Sequence, residues 1–283
     1  MYKRQKRALA VHDISCIGKC SLTVALPIIS AGGIETSVLP TAVLSTHTGI
    51  ENYSYRDLSN DFLTICNHWK TLNIKFDSIY TGFLGSVHQI DMVLKLFELF
   101  GQDSLKLVDP VMADDGKLYS SFDETFPSEM KRLCEKADII VPNITEACYI
   151  LAKKYIDPPY TSDFIENLLF ELSKFTKCKK IVLTGVSFEK EKIGVAILDG
   201  SSNRIRYYFN EAIKQNYPGS GDVFASVLLT SLLNGFDLFE SSKIAVDFTY
   251  FSVKRTFENK TDPRFGLNFE EEIPNLISAL HLY

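Results

Sequence analysis

The chain has 283 residues, of which 46% are hydrophobic and 23% are charged, and its formal net charge is −5. This composition is close to the globular average, so it predicts a full hydrophobic core and argues against an intrinsically disordered chain. The negative charge argues against nucleic acid or an anionic membrane as the main partner, and no run of about 18 apolar residues predicts a membrane span.

Strand-like and helix-like patterns alternate along the chain. The basic start, MYKRQKR, precedes an apolar stretch too short for a signal peptide, so we expect a charged tail leading into a first strand. In chain order, strands are predicted at residues 8–12, 36–39, 78–81, 105–108, 139–141, 181–184, 194–198 and 205–209. Helices are predicted at residues 21–31, 57–72, 87–100, 124–136, 146–154, 164–175, 222–234, 238–256 and 269–280.

This order of elements predicts an α/β fold. Strands that alternate with helices form βαβ units, and we expect a mostly parallel central sheet between two layers of helices, a three-layer αβα sandwich. Residues 194–198 and 205–209 are separated by DGSSN, a turn signal that predicts an antiparallel hairpin at one edge. We expect residues 1–283 to form a single domain. The six cysteines form no CxxC pair, which favours reduced thiols and a cytoplasmic location.

Small or polar residues follow the predicted strands. Ligands of such folds bind beyond the carboxyl ends of the strands, so these segments together predict a functional site. The segments are HDIS (12–15), STHT (45–48), TGFLGS (81–86), DPVMADDG (109–116), PNITEA (142–147), TGVS (184–187) and NYPGSGD (216–222).

The segment NYPGSGDVFASVLL carries the most specific pattern. Gly219, Ser220 and Gly221 precede a helix, whose first N–H groups and positive dipole end favour an anion. Asp222 places a carboxylate at that point. Together they suit phosphoryl transfer, because the N–H groups stabilise the moving phosphate while the carboxylate removes a proton from the attacking hydroxyl. The alternative is that Asp222 is a helix N-cap and Ser220 part of a turn.

Two other segments supply carboxylates. Asp109 follows a strand, and Asp114 and Asp115 follow in a glycine-containing loop. Clustered carboxylates near a phosphate site suggest a hard cation such as Mg²⁺, although Asp115 also fits a solvated acidic turn. Asn143 and Glu146 lie at a strand-to-helix junction, where helix capping is the alternative interpretation and both roles are compatible.

Several familiar sites are disfavoured. The chain contains neither GxxxxGK[ST] nor a GxGxxG that opens a βαβ unit, which argues against a P-loop or a Rossmann dinucleotide site. His12, Cys16 and Cys20 are spaced like metal ligands, but the expected fourth zinc ligand is missing.

Taken together, these stretches resemble the ribokinase superfamily, and within it most closely the pyridoxal and pyridoxamine kinases. GSGD is similar to the C-terminal GxGD signature of that superfamily. Stretches similar to those kinases occur in the same order from about residue 8 to 270: HDISCIGKCSLTVALPIISAGG, LPTAVLSTHTG, YTGFLGS, VDPVMADDGKLY, PNITEA and TDPRFGLNFE.

The resemblance implies a ribokinase-like fold and ATP-dependent phosphorylation of the 5′-hydroxymethyl group of a B6 vitamer. It implies Asp222 as general base and Gly219, Ser220 and Gly221 as the anion hole for the γ-phosphate. At the Mg·ATP end it implies Asp109, Asp114 and Glu146, with Asp109 and Glu146 toward the metal, and Asn143, Thr184 and Gly185 along the phosphate and ribose path. Around the pyridine ring it implies Asp13, Ser15, Ser45, Thr46 and His47, with Phe83 stacked beside it.

The chain departs from the family pattern at the acceptor side, so the preferred vitamer stays open. Relatives are expected to carry glycine at Cys16, asparagine at Thr46, glycine at Ala113, tyrosine at Phe83 and, in some, serine at Asp13. His47 and Phe83 also fit purely structural roles. The family further implies a homodimer and a possible monovalent cation.

Alternative functions are a hydroxymethylpyrimidine kinase of thiamine biosynthesis and a non-catalytic vitamer-binding protein on the same fold. The N-terminal half lacks the glycine-rich run expected of a sugar kinase of this superfamily.

Overall fold

The computed structural model describes residues 4–200 and 204–282. Its strands are β1 (Arg7–Ser15), β2 (Glu35–Leu44), β3 (Tyr55–Asp57), β4 (Ser78–Thr81), β5 (Leu105–Val108), β6 (Ala113–Asp114), β7 (Lys117–Leu118), β8 (Ile139–Ile140), β9 (Lys180–Val186), β10 (Lys192–Asp199) and β11 (Arg204–Glu211). Its α-helices are α1 (Leu22–Ala31), α2 (Ser59–Thr71), α3 (Val87–Phe100), α4 (Phe126–Cys134), α5 (Ile144–Ile150), α6 (Ser162–Thr176), α7 (Ser220–Leu233), α8 (Leu238–Glu258) and α9 (Ile273–Ala279).

In the described ranges, nine strands form one sheet in the order β11-β10-β9-β8-β5-β4-β1-β2-β3. The six strands from β9 to β2 in that order run parallel to one another. At the edges, β3 runs antiparallel to β2, and the β10–β11 hairpin is antiparallel within itself and to β9. The predicted mostly parallel sheet with an antiparallel edge hairpin is therefore confirmed, while residues 201–203 of the predicted turn lie outside the described residues.

Helices cover both faces of the sheet. Helices α1, α7, α8 and α9 contact one another on one face, and α2 to α6 form a chain of contacts on the other. Successive residues of a strand lie in opposite cores, because side chains alternate between the two faces of the sheet. Ile79 and Val108 lie in the core under α2 to α6, whereas Tyr80 and Leu107 lie in the core under α1 and α7. The three-layer sandwich follows from this burial on both faces.

The sequence pattern predicted that strand β2 ends at Pro40, but the strand continues past the proline to Leu44. His12 pairs with Pro40 while Ile14 pairs with Val43, so a bulge in β2 follows the proline. Strand β3 pairs only with residues 42–44 of β2, and Pro40 therefore needs no N–H to donate toward that neighbour. Strand β9 likewise continues through Gly185 to Val186 instead of ending at residue 184.

Some element boundaries also differ from the prediction. Helix α5 ends at Ile150 and not at residue 154, and residues 269–280 divide into a short 3₁₀ turn, Glu270–Glu272, followed by α9. Strands β3, β6 and β7 were not predicted, since two or three residues carry too little periodicity. All six cysteines are free thiols, five of them buried, and only Cys16 is exposed.

Candidate active site

The turn that precedes α7 forms the centre of the site. Gly219 has φ +79°, and a Cβ there would lie 2.2 Å from the carbonyl oxygen of Lys19, so this position requires glycine. The N–H of Val223 donates to the Gly219 carbonyl at 2.9 Å and closes the first helical bond. This leaves the N–H groups of Gly221 and Asp222 without an intrahelical acceptor at the positive end of the helix. These two N–H groups are therefore available to an anion, as the sequence pattern predicts.

Asp222 lies in the first turn of α7, and its side chain is 14% exposed. Its Oδ2 accepts a hydrogen bond of 2.8 Å from the N–H of Ser21, and its Oδ1 lies 3.9 Å from Nδ1 of His12. Burial raises the pKa of Asp222 to about 7; the Ser21 hydrogen bond opposes this shift, and the charge of Asp13 adds to it. A carboxylate with a pKa near neutrality is suited to accept a proton at physiological pH.

Asp13 is a buried carboxylate near Asp222. Its Oδ1 accepts the hydroxyl of Ser21 at 2.6 Å, and its Oδ2 accepts that of Ser15 at 3.0 Å. Burial raises the pKa of Asp13, and these hydroxyl bonds oppose the shift. Ser21 therefore holds one carboxylate with its backbone and the other with its side chain.

Asp109 and Glu146 form the opposite side of the site. Burial raises the pKa of Asp109 well above its ordinary value, with further contributions from the charges of Glu146 and Asp222. Burial also raises the pKa of Glu146 to about 8, although its oxygens accept the N–H groups of Asn143 at 2.8 Å and Met112 at 3.2 Å. Asn143 in turn accepts the N–H of Glu146 at 2.8 Å, which completes a capping box for α5. The capping role of this pair is present, and it leaves the carboxylate beside Asp109.

Two cavities meet at Asp222 and Gly219, which line both. One, of about 610 Å³, extends beneath the β10–β11 hairpin, and we call it the hairpin cavity. The other, of about 690 Å³, lies beside the end of β1, and we call it the β1 cavity. A carboxylate and an anion-binding turn between two cavities can bring a phosphate donor and a hydroxyl acceptor together.

Most of the predicted site residues line these cavities. Those in the hairpin cavity are Asp109, Asp114, Asn143, Glu146, Thr184, Gly185, Gly219, Ser220, Gly221 and Asp222. Those in the β1 cavity are Asp13, Ser15, His47, Phe83, Asp114, Gly219 and Asp222. Ser45 and Thr46 lie outside both linings: Ser45 Oγ accepts the N–H of Ser54 at 2.9 Å, and Thr46 Oγ1 is buried without a partner among the described residues.

His47 has a structural role in addition to its place in the lining. Its Nδ1 accepts the N–H of Gly49 at 3.1 Å, so Nε2 carries the ring proton and donates to the carbonyl of Arg264 at 2.7 Å. This bond joins the end of β2 to the segment around Arg264, which also lines the β1 cavity.

The sequence pattern did not identify His12, Ser21, Tyr119 or Arg264 as site residues. Each lies in a stretch that resembles the kinases, but a backbone donor such as that of Ser21 leaves no signal in residue type.

The carboxylates fit a divalent cation bound together with a phosphate. Asp109, Asp114 and Glu146 form no ion pair with any residue in the described ranges. Within residues 4–200 and 204–282, no group of three or more His, Cys, Asp or Glu side chains could hold a metal ion alone. Mg²⁺ typically takes one or two carboxylates, with phosphate oxygens and water completing its shell. Asp109 and Glu146 match that requirement.

The chain is similar in sequence and fold to known proteins. The family model described as phosphomethylpyrimidine kinase matches residues 28–263. A Bacteroides thetaiotaomicron protein provisionally named a phosphomethylpyrimidine kinase, crystallised with pyridoxal, is 38% identical, covers 96% of this chain and 96% of its own, and has a TM-score of 0.92. The pyridoxal kinase of Lactobacillus plantarum is 30% identical over 98% of this chain and 99% of its own, with a TM-score of 0.89.

A curated relative, provisionally named a pyridoxal kinase, comes from Saccharomyces cerevisiae. It is 24% identical over 71% of this chain and 66% of its own length. The chain spans between about half and two thirds of the length of the curated relatives it matches. In the described part of the chain, no helix combines the length and the hydrophobicity needed to cross a membrane.

Proposed function

The chain belongs to the phosphomethylpyrimidine kinase family, and from that premise we propose that it transfers the γ-phosphoryl group of ATP to the 5′-hydroxymethyl group of a B6 vitamer. The acceptor would be pyridoxal, pyridoxamine or pyridoxine. The observation that carries the proposal is the position of Asp222, a largely buried carboxylate at the N-terminal start of α7 and between the two cavities.

In this mechanism ATP occupies the hairpin cavity and the vitamer occupies the β1 cavity. Asp222 removes the hydroxymethyl proton as the oxygen attacks the γ-phosphorus, and ADP leaves on the opposite side. The N–H groups of Gly221 and Asp222 stabilise charge on the moving phosphoryl group. Asp109 and Glu146 would hold Mg²⁺, which neutralises phosphate charge when bound. Gly185 has φ +74° and open space where a Cβ would lie, so the backbone offers a close approach to the nucleotide.

We favour a B6 vitamer over hydroxymethylpyrimidine as the acceptor for two reasons: the residues that line the β1 cavity, and the pyridoxal bound in a related structure. Phe83 and the Asp13 carboxylate both line that cavity, and they offer an aromatic face and a hydrogen-bond acceptor to a polar ring. The B. thetaiotaomicron structure contains pyridoxal. Hydroxymethylpyrimidine is the second candidate acceptor, because the family model that matches the chain is described as phosphomethylpyrimidine kinase. A non-catalytic binding role is disfavoured because both the base and the anion-binding turn are present.

We extend the proposal to the conditions of the reaction. Mg²⁺ is the expected divalent ion, since two carboxylates and phosphate oxygens form its usual shell. A monovalent cation and a homodimer are further expectations from the family resemblance. A single domain over residues 1–283 and a cytoplasmic location are expectations from the chain length and the cysteine pattern.

A coupled ADP-release assay with Mg·ATP tests the function. Pyridoxal, pyridoxamine, pyridoxine and hydroxymethylpyrimidine are compared side by side at equal concentration. We expect turnover on at least one B6 vitamer and a lower kcat/KM on the pyrimidine. Turnover on the pyrimidine alone would assign the protein to the second candidate. Vitamer binding without any ADP release would instead support the non-catalytic alternative.

A further inference from the structure

His12 is a buried histidine beside the general base. It lies in β1 with no exposed surface, and its ring makes an edge contact with Tyr80 at 4.3 Å between centroids. A Cβ on Gly82 would lie 2.3 Å from Nδ1 of His12, so only glycine leaves room for the ring at that point. The imidazole is therefore held tightly from two sides.

Neither ring nitrogen of His12 has a hydrogen-bond partner among the described residues. Burial lowers the pKa of His12 to about 3, so the ring is neutral and carries one N–H. A buried donor without an acceptor is costly, which indicates that it gains one in some state of the protein. Asp222 Oδ1, 3.9 Å from Nδ1, is the carboxylate oxygen near the ring, and this separation exceeds a hydrogen bond by about 1 Å.

We propose that His12 is a positioning residue for Asp222, and that its Nδ1–H donates to Oδ1 of the carboxylate when the acceptor is bound. The inference rests on the proposed kinase function. Ser21 already holds Oδ2 through its N–H, so the two donors together fix the plane of the carboxylate. In the transfer step the acceptor O–H bond breaks, and its proton goes to a remaining lone pair of Asp222. The new O–P bond forms from the acceptor oxygen to the γ-phosphorus, the bond from that phosphorus to the bridging oxygen of ATP breaks, and ADP keeps the electron pair of this broken P–O bond. His12 keeps its own proton throughout.

Charged and titratable groups on several elements face Asp222. They are His12 and Asp13 on β1, Cys20 in the following loop, Tyr80 on β4, Asp109 after β5, and Tyr119 after β7. All are neutral or acidic. Among these groups, His12, the Cys20 thiol and the two tyrosines are neutral donors, and Nδ1 of His12 lies 3.9 Å from the Asp222 carboxylate. A hydrogen bond from Nδ1–H stabilises the charged carboxylate, so its loss raises the pKa of Asp222.

Two substitutions separate this role from packing. His12→Asn keeps an N–H donor near the position of Nδ1, whereas His12→Leu fills similar space without a donor. We expect His12→Leu to lower kcat by about tenfold and to move the acidic midpoint of the kcat–pH profile upward by about one unit, the typical worth of one bond to a charged group. KM for ATP and for the vitamer stays within about twofold, and His12→Asn retains most of kcat and the wild-type midpoint.

Three results would overturn the inference. They are a wild-type kcat and pH profile in His12→Leu, an equal loss in both variants, or a loss expressed in KM alone. An inactive wild-type protein would instead remove the proposed function. A second test needs neither turnover nor a folded variant. It is ¹⁵N NMR of the histidine rings in the wild-type protein, which has five histidines. We expect His12 to be neutral with its proton on Nδ1; an Nε2–H tautomer, or a ring that titrates near neutral pH, would exclude the proposed bond.

Discussion

The backbone N–H of Ser21 donates to Oδ2 of Asp222 over 2.8 Å, although the two residues are 201 positions apart in the sequence. Ser21 has φ 54° and ψ −129°, a backbone conformation that is unfavourable for a residue with a side chain. This conformation turns its N–H toward Asp222 while its hydroxyl reaches Asp13. The loop after β1 and the start of α7 are thereby joined at the atoms that we assign to proton transfer.

Replacing the general base tests that assignment directly. We expect Asp222→Asn to lower kcat by roughly 10²–10⁴-fold, the usual worth of a positioned general base, with KM for ATP changed much less. Steady-state ADP release measures both constants. Asp61→Asn, an exposed change in the first turn of α2, is the matched control and should retain wild-type kcat. Near-full activity in Asp222→Asn would show that another group removes the proton.

The same carboxylate predicts the pH dependence of turnover. A general base works only when it is deprotonated, and burial raises the pKa of Asp222 to about 7. We therefore expect kcat/KM for the vitamer, which reports the pKa of the free enzyme, to fall as the pH decreases below about 7 and to level off above it. A pH profile of kcat/KM for the vitamer at saturating Mg·ATP measures this limb, and the residual activity of Asp222→Asn should lack it. A wild-type limb centred near pH 4 would mean that the base has an ordinary carboxylate pKa.

Much of the fold was predictable because the helices and strands of each layer show a local periodicity of hydrophobic residues. Residues 78–81, 87–100 and 105–108 were predicted with the observed boundaries, since buried strands and an amphipathic helix carry clear patterns. The bulge after Pro40 was not, because a proline ordinarily ends a strand and only the partner strands show that no donor is required there.

The candidate site was predictable where residue type carries the chemistry. Glycines and an aspartate before a helix identified the start of α7, and the carboxylates of Asp109 and Glu146 followed from their strand ends. Ser21 was missed because its backbone contributes the N–H that holds Asp222, and Arg264 because its contact with His47 depends on loop packing. Such contacts arise from tertiary structure and leave no periodic signal.

Alanine substitutions at two glycines with similar backbone conformations distinguish an effect on nucleotide binding from an effect on stability. Gly185 has φ +74° and Gly235 has φ +99°, and a Cβ at either position would meet no atom within 4 Å. Alanine at each should cost about 1–2 kcal/mol of stability through the left-handed backbone. Only Gly185 lines the hairpin cavity, so only Gly185→Ala should raise KM for ATP, by roughly tenfold, in steady-state kinetics. An equal KM in both variants would place the nucleotide elsewhere.

We expect that Asp109 lowers the stability of the free protein and is required for its activity. Its pKa is raised well above the ordinary value by burial and by Glu146 and Asp222, so the folded protein binds this proton more tightly than the unfolded chain does. The stability contribution of this group is therefore full at low pH and is lost as the pH rises toward the folded pKa. Asp109→Asn removes this titrating group, so its gain in unfolding temperature should be larger at about pH 8 than at about pH 5.

We expect Asp109→Asn to raise Tm at about pH 8 by roughly 2–6 °C and to lower Mg·ATP-dependent turnover by roughly 10²-fold, because the cation ligand that we propose is lost. Thermal unfolding without nucleotide and ADP release measure the two effects. Asp247→Asn is the contrasting control: Asp247 accepts hydrogen bonds from Tyr208 and Asn210, so its replacement should lower Tm. A lower Tm in Asp109→Asn would mean that its carboxylate is stabilised in the free protein. The acidic side of the site would then need no cation to offset its charge.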